Sequence, residues 1–446
     1  MLKRERSRSD KAYRLLRAIK VFMVRPEKLI AYPGFSGYTN SYRGGDIMIN
    51  RPDYIEAVEP FIDKPLVKIL AGVRRCGKST IFAMLKEEFL RRGISEDHII
   101  SKRYTEMDIP ENITAKQMYD ELLEAMKGKG HCYLLLDEIQ EIDGWEKAVN
   151  SLLEGADADI YVTGSNSKLM SSEISTYLTG RYVSIPVYTL SFKEYLDFKT
   201  DSTLSRRELL EEYIRFGGFP IIALSEYDEQ SAYQIVNGIY YTVVSRDIVK
   251  RHRINKQDLF DRVVKYIIEN MGKTFSANSI STFLKSEHRK VSVESIYNYL
   301  RWLEQAFIIY PCERYDLQGK SILKTQEKYY LSDVSLKYAL LGYNRKMLDG
   351  AMENIVFLEL KRRGYDVFIG KNDTKEIDFV ATRRDEKIYV QVCVQIPATS
   401  DREVGNLMEI RDHYPKYVVT LNEMDTGIEN GIKIVHLVDF LLAETW

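Results

Sequence analysis

The sequence predicts an α/β chain: a parallel sheet covered by helices first, then a helical middle, then a second and smaller α/β unit. Three observations carry this. Between Leu66 and Ile185 short apolar runs alternate with stretches of helical periodicity. Cys132–Leu136 is apolar without a break, as a strand buried on both faces should be. From 348 onward the pattern reads helix, three strands, helix, strand. With 446 residues there is room for about three domains, and 45% hydrophobic with 29% charged residues is the composition of a globular protein with sizeable cores.

In order, Leu66–Ala71 reads as a strand and Ser79–Arg92 as a helix with Ile81, Leu85 and Phe89 on one face. His98–Tyr104 is a strand, Ala115–Met126 a helix, Cys132–Leu136 a strand, Trp145–Leu153 a helix and Asp159–Thr163 a strand. Residues 190–254 read as mostly helical, with a turn at Phe216-Gly-Gly-Phe-Pro220. Helices at 257–271, 277–286 and 293–305 follow, the last two capped by Ser276 and Ser292. Strands at Ile308–Tyr310 and Lys328–Leu331 complete the pattern of a winged helix-turn-helix. The last part reads as helix 348–363, strands 365–369, 376–382 and 387–395, helix 402–413, strand 416–421, a short strand and a terminal helix. The divisions are 1–47, 48–189, 190–254, 255–331 and 332–446.

The net charge of −1 gives no global argument for nucleic acid. Cysteines 76, 132, 312 and 393 form no C-x-x-C pair and the six histidines no H-x-x-x-H, which argues against zinc and fits a reduced cytoplasmic protein. No apolar run approaches the ~20 residues that span a bilayer, so no membrane role is expected. Residues 1–28 hold ten Lys/Arg and three Asp/Glu, and Tyr32–Asp46 is rich in Gly, Tyr and Ser. This segment reads as a flexible basic tail with a helix around Ala12–Val24, as a nucleic-acid-binding arm, or as sequence upstream of a true start at Met48.

Gly72-Val-Arg74-Arg75-Cys76-Gly77-Lys78-Ser79 matches G-x-x-x-x-G-K-[ST], follows an apolar strand and opens a helix. Such a loop wraps phosphates with backbone N–H groups, helped by the helix dipole. Gly72, Arg74, Arg75, Cys76, Gly77, Lys78, Ser79 and Thr80 are the expected ATP contacts. Lys78 is assigned to the β- and γ-phosphates, and Ser79 to Mg²⁺. Tyr133-Leu-Leu-Leu-Asp137-Glu138 puts two carboxylates at the end of a buried strand. Asp137 is expected in the Mg²⁺ shell and Glu138 as the base for the attacking water. Asn166 first and Ser165 second are candidates to sense the γ-phosphate. Arg181 is the candidate arginine finger, and if it serves a neighbour's site a homo-oligomer is required. Cys76 inside the loop predicts that thiol reagents impair ATP binding.

With these residues in view, the chain resembles prokaryotic AAA+-type ATPases that carry an additional C-terminal domain. The resemblance rests on Gly72–Thr80, Leu134–Gln140, Thr163–Ser167, Leu178–Arg181, Leu190–Phe192 with Glu194 and Tyr195, and Phe216–Pro220. It covers roughly 48–446. It implies an ATP-binding core, a winged-helix middle, a restriction-endonuclease-like end, and a start near Arg51-Pro-Asp-Tyr.

The order of elements in 348–421 is similar to a PD-(D/E)xK nuclease core. Glu353 or Glu359 supplies the helix acid and Asp378 the strand acid, but Gln391 stands where the second carboxylate belongs and Cys393 where the lysine belongs. Metal binding and water activation are then expected to be weak unless a lysine comes from elsewhere. Binding or dimerisation fits better than cleavage.

Between Arg246 and Arg301 twelve Lys/Arg stand against six Asp/Glu. Lys250, Arg251, Arg253, Arg289 and Lys290 are candidate contacts to duplex DNA. Tyr297, Tyr299 and Trp302 on the third helix read as core. The sequence thus predicts an ATPase that works as a DNA-associated switch. The alternatives are a nucleotide-gated protein-interaction module and an ATP-dependent nuclease.

Overall fold

A computed structural model describes residues 50–446 apart from 106–109, 111, 171, 255, 290, 320 and 398–401, together with Tyr42–Arg43 (β1) and Asp46–Ile47 (β2), which pair antiparallel. The readings of the rest of 1–47, and of Lys290, lie outside the described residues. Residues 51–446 form one unit.

Helix α1 (Pro52–Val58) leads into a sheet built from β3 (Val67–Ala71), β4 (Ile99–Arg103), β5 (Cys132–Asp137), β6 (Ala158–Gly164) and β7 (Tyr182–Pro186). All pairings are parallel, in the order β4-β5-β6-β3-β7. β3 and β5 are buried at every position because helices cover both faces. These helices include α2 (Lys78–Arg91), α3 (Ala115–Met126) and α4 (Trp145–Gly155). A capping box at Thr114 and Gln117 starts α3. β7 was not expected from the sequence; three of its five residues are only partly buried, so its apolar pattern is weak.

Helices α5 (Phe192–Phe198), α6 (Arg206–Phe216), α7 (Pro220–Ala223) and α8 (Glu229–Val243) form a lid, α8 continuing as a π-helical turn at Val244–Lys250. The turn at Phe216–Pro220 is a docking point as well as a corner. Gly217 has φ +74°, and a Cβ there would lie 1.8 Å from the Asp333 carboxylate. Gly218 donates its N–H to that carboxylate at 2.8 Å.

Helices α9 (Gln257–Glu269), α10 (Ala277–Ser286) and α11 (Val293–Gln305) fall where periodicity put them, with Ser276 and Ser292 as caps. The hairpin that follows differs from expectation. β8 (Ile309–Asp316) and β9 (Ser321–Leu331) are longer, and they are not a free wing. β8 pairs in parallel with β10 (Asp366–Asn372), so the hairpin edges an eight-stranded sheet that runs β14-β15-β13-β12-β11-β10-β8-β9. An isolated hairpin buries too little surface to stand alone, and joining a sheet resolves this. The division at 331/332 therefore cuts through one sheet, and 332–446 is not a separate unit. Its remaining parts are α12 (Ser335–Leu341), α13 (Leu348–Arg362), β11 (Lys375–Arg383), β12 (Glu386–Cys393), α14 (Arg402–Met408), β13 (Lys416–Thr420), β14 (Gly427–Glu429), β15 (Ile432–His436) and α15 (Leu437–Leu442).

Lys337 on α12 is buried among Lys273, Glu353 and Glu269. Burial, aided by Lys273 and opposed by the two carboxylates, pushes it down to about 8. A lysine depressed on folding contributes stability at high pH that is lost as pH falls through the folded value. Lys337→Met is therefore expected to stabilise the protein more at pH 7.5 than at pH 9.5, by about 2 kcal/mol. Thermal unfolding of both proteins at the two pH values checks this; a pH-independent difference would contradict it.

Candidate active site at the phosphate loop

β3 delivers the chain into the loop, and Gly72 is obligatory there: a Cβ would lie 1.9 Å from the Val187 carbonyl oxygen. Gly77 has φ +103° and forms the N-cap of α2. Lys78 is buried; its Nζ donates to the Gly72 and Val73 carbonyls at 3.0 and 3.2 Å and stands 3.7 Å from the Glu138 carboxylate. Ser79 Oγ donates to Asp137 Oδ2 at 2.7 Å. Arg75 (φ +67°) and Thr80 face solvent at the rim. Cys76 is fully buried and burial pushes its thiol up, so the expected sensitivity to thiol reagents has no physical basis.

The two carboxylates differ in their surroundings. Asp137 accepts from Ser79, from Thr163 Oγ1, and from Arg103 Nε at 3.0 Å. Ser79 and Asp137 are an oxygen pair suited to one octahedral cation, so the residues fit Mg²⁺. Glu138 turns off the strand with φ +55°, a left-handed conformation that a non-glycine residue adopts at a cost and that clusters at active sites. Its N–H is fixed by Thr163 Oγ1 at 3.0 Å, and its carboxylate accepts from Gln140 at 2.5 Å and Ser165 at 3.2 Å. Burial would raise this carboxyl, but the Lys78 and Arg74 charges and these hydrogen bonds outweigh it and hold it below the usual range.

Of the two sensing candidates, Ser165 reaches Glu138 directly; Asn166 is buried beside it. Arg181 is not brought to the site. Its carbonyl accepts from Val67 N–H at the start of β3, and its guanidinium pairs with Glu154 and Asn150. The loop leaves the other end of that five-residue strand, roughly 15 Å away at ~3.3 Å per residue. Within one chain Arg181 therefore stands apart from the loop, and the reading in which it serves a neighbour's site is untouched by this.

Two residues were missed. Arg51 is 1% exposed and forms a fork to Glu194 at 2.7 and 3.1 Å while donating to the Cys76 carbonyl at 2.8 Å. It therefore props the back of the loop. Asp247 in the π-helical turn grips Arg74. Neither carries a motif. The only sequence signal is an arginine next to the Pro52 helix start and an acid inside a basic segment.

In the C-terminal sheet Glu353, not Glu359, meets Asp378; Glu359 pairs with Arg362 and Arg363. Lys328 of β9 lies between Glu353 at 3.4 Å, Glu376 at 2.9 Å and Asp378 at 3.9 Å. The lysine comes from the hairpin that the sequence assigned to a wing. Burial and the neighbouring Glu353 push the Asp378 carboxyl well above the usual range. Gln391 accepts from Asp378 N–H at 3.3 Å, and burial pushes the Cys393 thiol up to about 12, so neither supplies charge.

Of the basic candidates, Lys250, Arg251 and Arg253 are exposed, and Arg289 pairs with Asp258 at 2.5 Å. His252 stacks on Trp302 with ring centroids 4.4 Å apart. Tyr299 is buried as expected, whereas Tyr297 is 59% exposed.

A five-stranded parallel sheet with a glycine-bounded phosphate loop, and two carboxylates one strand removed from it, defines a P-loop ATPase fold. Comparison with known proteins agrees. A family model described as an AAA domain matches residues 64–196, and one described as a domain of unknown function (DUF8612) matches 207–346. Neither extends past 346, and neither carries the resemblance of 332–446 to a nuclease core. An uncharacterized protein of Haemophilus influenzae is 36% identical over 400 residues, 89% of this chain and 99% of its own length. An uncharacterized protein of Methanocaldococcus jannaschii is 32% identical over 363 residues, 76% of this chain and 77% of its own. A solved Walker-type ATPase of Pyrococcus abyssi is 15% identical with a TM-score of 0.47, covering 67% of this chain and 97% of that one. The chain belongs to the same family as the H. influenzae and M. jannaschii relatives, and its residues 64–196 match the AAA domain model.

Proposed function

We propose that this protein binds Mg-ATP at the phosphate loop and hydrolyses it, using the cycle to move the lid and the basic helices on DNA. The observation that carries this reading is the convergence of Lys78, Ser79, Asp137 and Glu138, two segments of chain meeting within hydrogen-bond or ion-pair distance. Lys78 would leave the loop carbonyls for the phosphates. Ser79 and Asp137 would hold Mg²⁺, which when bound screens the phosphate charge. Glu138, ionised and flanked by cations, would orient a water and take its proton as the water oxygen bonds to the γ-phosphorus. The bond from that phosphorus to the bridging oxygen breaks, and ADP leaves with the electron pair.

The exposed Lys250, Arg251 and Arg253 support the DNA part of the reading. For the C-terminal sheet we propose binding or self-association rather than cleavage, because Gln391 and Cys393 bring no charge to the positions of the second carboxylate and the lysine; Lys328 reaches Asp378 from β9, and metal-dependent DNA cleavage that is lost in Asp378→Ala would overturn this.

Fluorescent ATP titration with Lys78→Ala as control tests the nucleotide site. The unaltered chain is expected to bind in Mg²⁺ and the variant to bind at least tenfold more weakly; equal binding would remove the reading. Steady-state turnover with and without duplex DNA then decides between switch and interaction module. A slow rate indifferent to DNA favours the module.

A further inference from the structure

We propose that Arg74 meets the charge that develops on the transferred phosphoryl group, and that Asp247 of the lid is the residue that positions it. The inference rests on reading Gly72–Ser79 as an ATP site. The Arg74 guanidinium engages Asp247 through one edge only, Nε to Oδ2 at 2.7 Å and Nη2 to Oδ1 at 2.9 Å. That fork fixes the plane of the guanidinium, because two parallel charge-assisted bonds allow one orientation. The remaining nitrogen, Nη1, stands 3.8 Å from Glu138 Oε2. Lys78 Nζ stands 3.7 Å from the other oxygen of the same carboxylate. Arg74 and Lys78 thus flank the base from two sides, which is where the γ-phosphoryl oxygens must come if Glu138 is to orient the attacking water. Arg181 stands at the far end of the sheet, so within one chain it does not compete for this role.

Asp247 is 6% exposed and sits in the π-helical turn that continues α8. Such turns are rare and occur often at functional sites. Glu141 and Arg246 add a looser contact between the loop side and the lid, with Arg74 Nη2 to Glu141 at 3.4 Å and Arg246 to Glu141 at 3.5 Å. An arginine mounted on the loop but aimed by the lid makes hydrolysis conditional on lid position. As the γ-phosphorus to bridging-oxygen bond breaks and the water proton passes to Glu138, Nη1 lowers the energy of the charge spreading over the phosphoryl oxygens, and Asp247 keeps it there.

Single-turnover ATP hydrolysis and nucleotide affinity of the full chain test this for Asp247→Asn, Asp247→Glu, Arg74→Lys and the Asp247→Asn/Arg74→Lys pair. Asp247→Asn keeps the shape but loses the charge, so its rate is expected to fall at least tenfold while affinity stays within threefold. Arg74→Lys should lose as much, the pair should be no slower than Arg74→Lys alone, and Asp247→Glu should recover part of the rate. Wild-type hydrolysis in Asp247→Asn overturns the proposal. So does tighter binding with unchanged hydrolysis, which would make Asp247 a latch that competes with phosphate. So do losses that multiply in the pair. If the ATP reading itself is wrong the signature differs: the folded, unaltered chain binds no nucleotide, Lys78→Ala changes nothing, and this proposal goes with it.

Discussion

Glu138→Gln is expected to leave ATP binding within about threefold of the unaltered chain and to slow turnover by about 10²- to 10⁴-fold, the range for removing a positioned general base. The amide keeps the length of the side chain and still accepts from Ser165, whose hydroxyl is 3.2 Å from the carboxylate. It takes no proton. The environment also sets the pH dependence. Lys78 and Arg74 hold the Glu138 carboxyl below the usual range despite its burial. Its ionised form therefore persists below the ordinary glutamate value of about 4.3, and the acid limb of the rate profile should not begin near neutrality. Turnover within threefold of wild type in the glutamine variant would remove Glu138 from the role of base.

Arg51→Met is expected to destabilise the protein by about 3–5 kcal/mol, the cost of stranding a buried charge. Glu194 is 8% exposed and receives two bonds from Arg51. Without them its carboxylate keeps only the N–H of Ser191 among the bonds described for it, at 2.8 Å. The second variant Arg51→Met/Glu194→Met removes the stranded charge and should recover much of the loss. ATP affinity should not recover with it, because the Cys76 carbonyl of the phosphate loop still lacks the Arg51 donor 2.8 Å away. Chemical denaturation and ATP titration on both variants read these separately. A loss under 1 kcal/mol in the single variant, or parallel recovery of stability and affinity in the double, would contradict the account.

The loop and carboxylate half of the candidate site was legible because it is encoded locally. Gly72, Gly77, Lys78 and Ser79 stand at fixed offsets, since a loop that turns back on a phosphate needs glycine where backbone approaches backbone and where φ is positive. Asp137 and Glu138 were legible because the strand before them is apolar on both faces. The three helices of the middle and their serine caps follow from 3.6-residue periodicity and the chemistry of orphan N–H groups, both read within a dozen residues. What was not legible was longer in range. Parallel pairing of β7 with β3 sets the Arg181 carbonyl against Val67 N–H, at the end of the sheet away from its own chain's loop, and no local spacing shows that.

The sequence by itself determined the order and kind of most of the elements, β7 excepted, together with the phosphate loop and the strand that carries its carboxylates. Each depends on residue spacing that neighbours in the chain impose on one another. Only the tertiary structure decided that Arg51 meets Glu194 and the loop, that Asp247 grips Arg74, and that Lys328 lies between Glu353 and Asp378. It also decided that β8 joins β10. These pairings close separations of 143 residues for Arg51 with Glu194 and 173 for Arg74 with Asp247. A charged residue carries no periodic signal for its partner at such range; which opposite charge it finds is fixed by how the packed layers bring distant segments together.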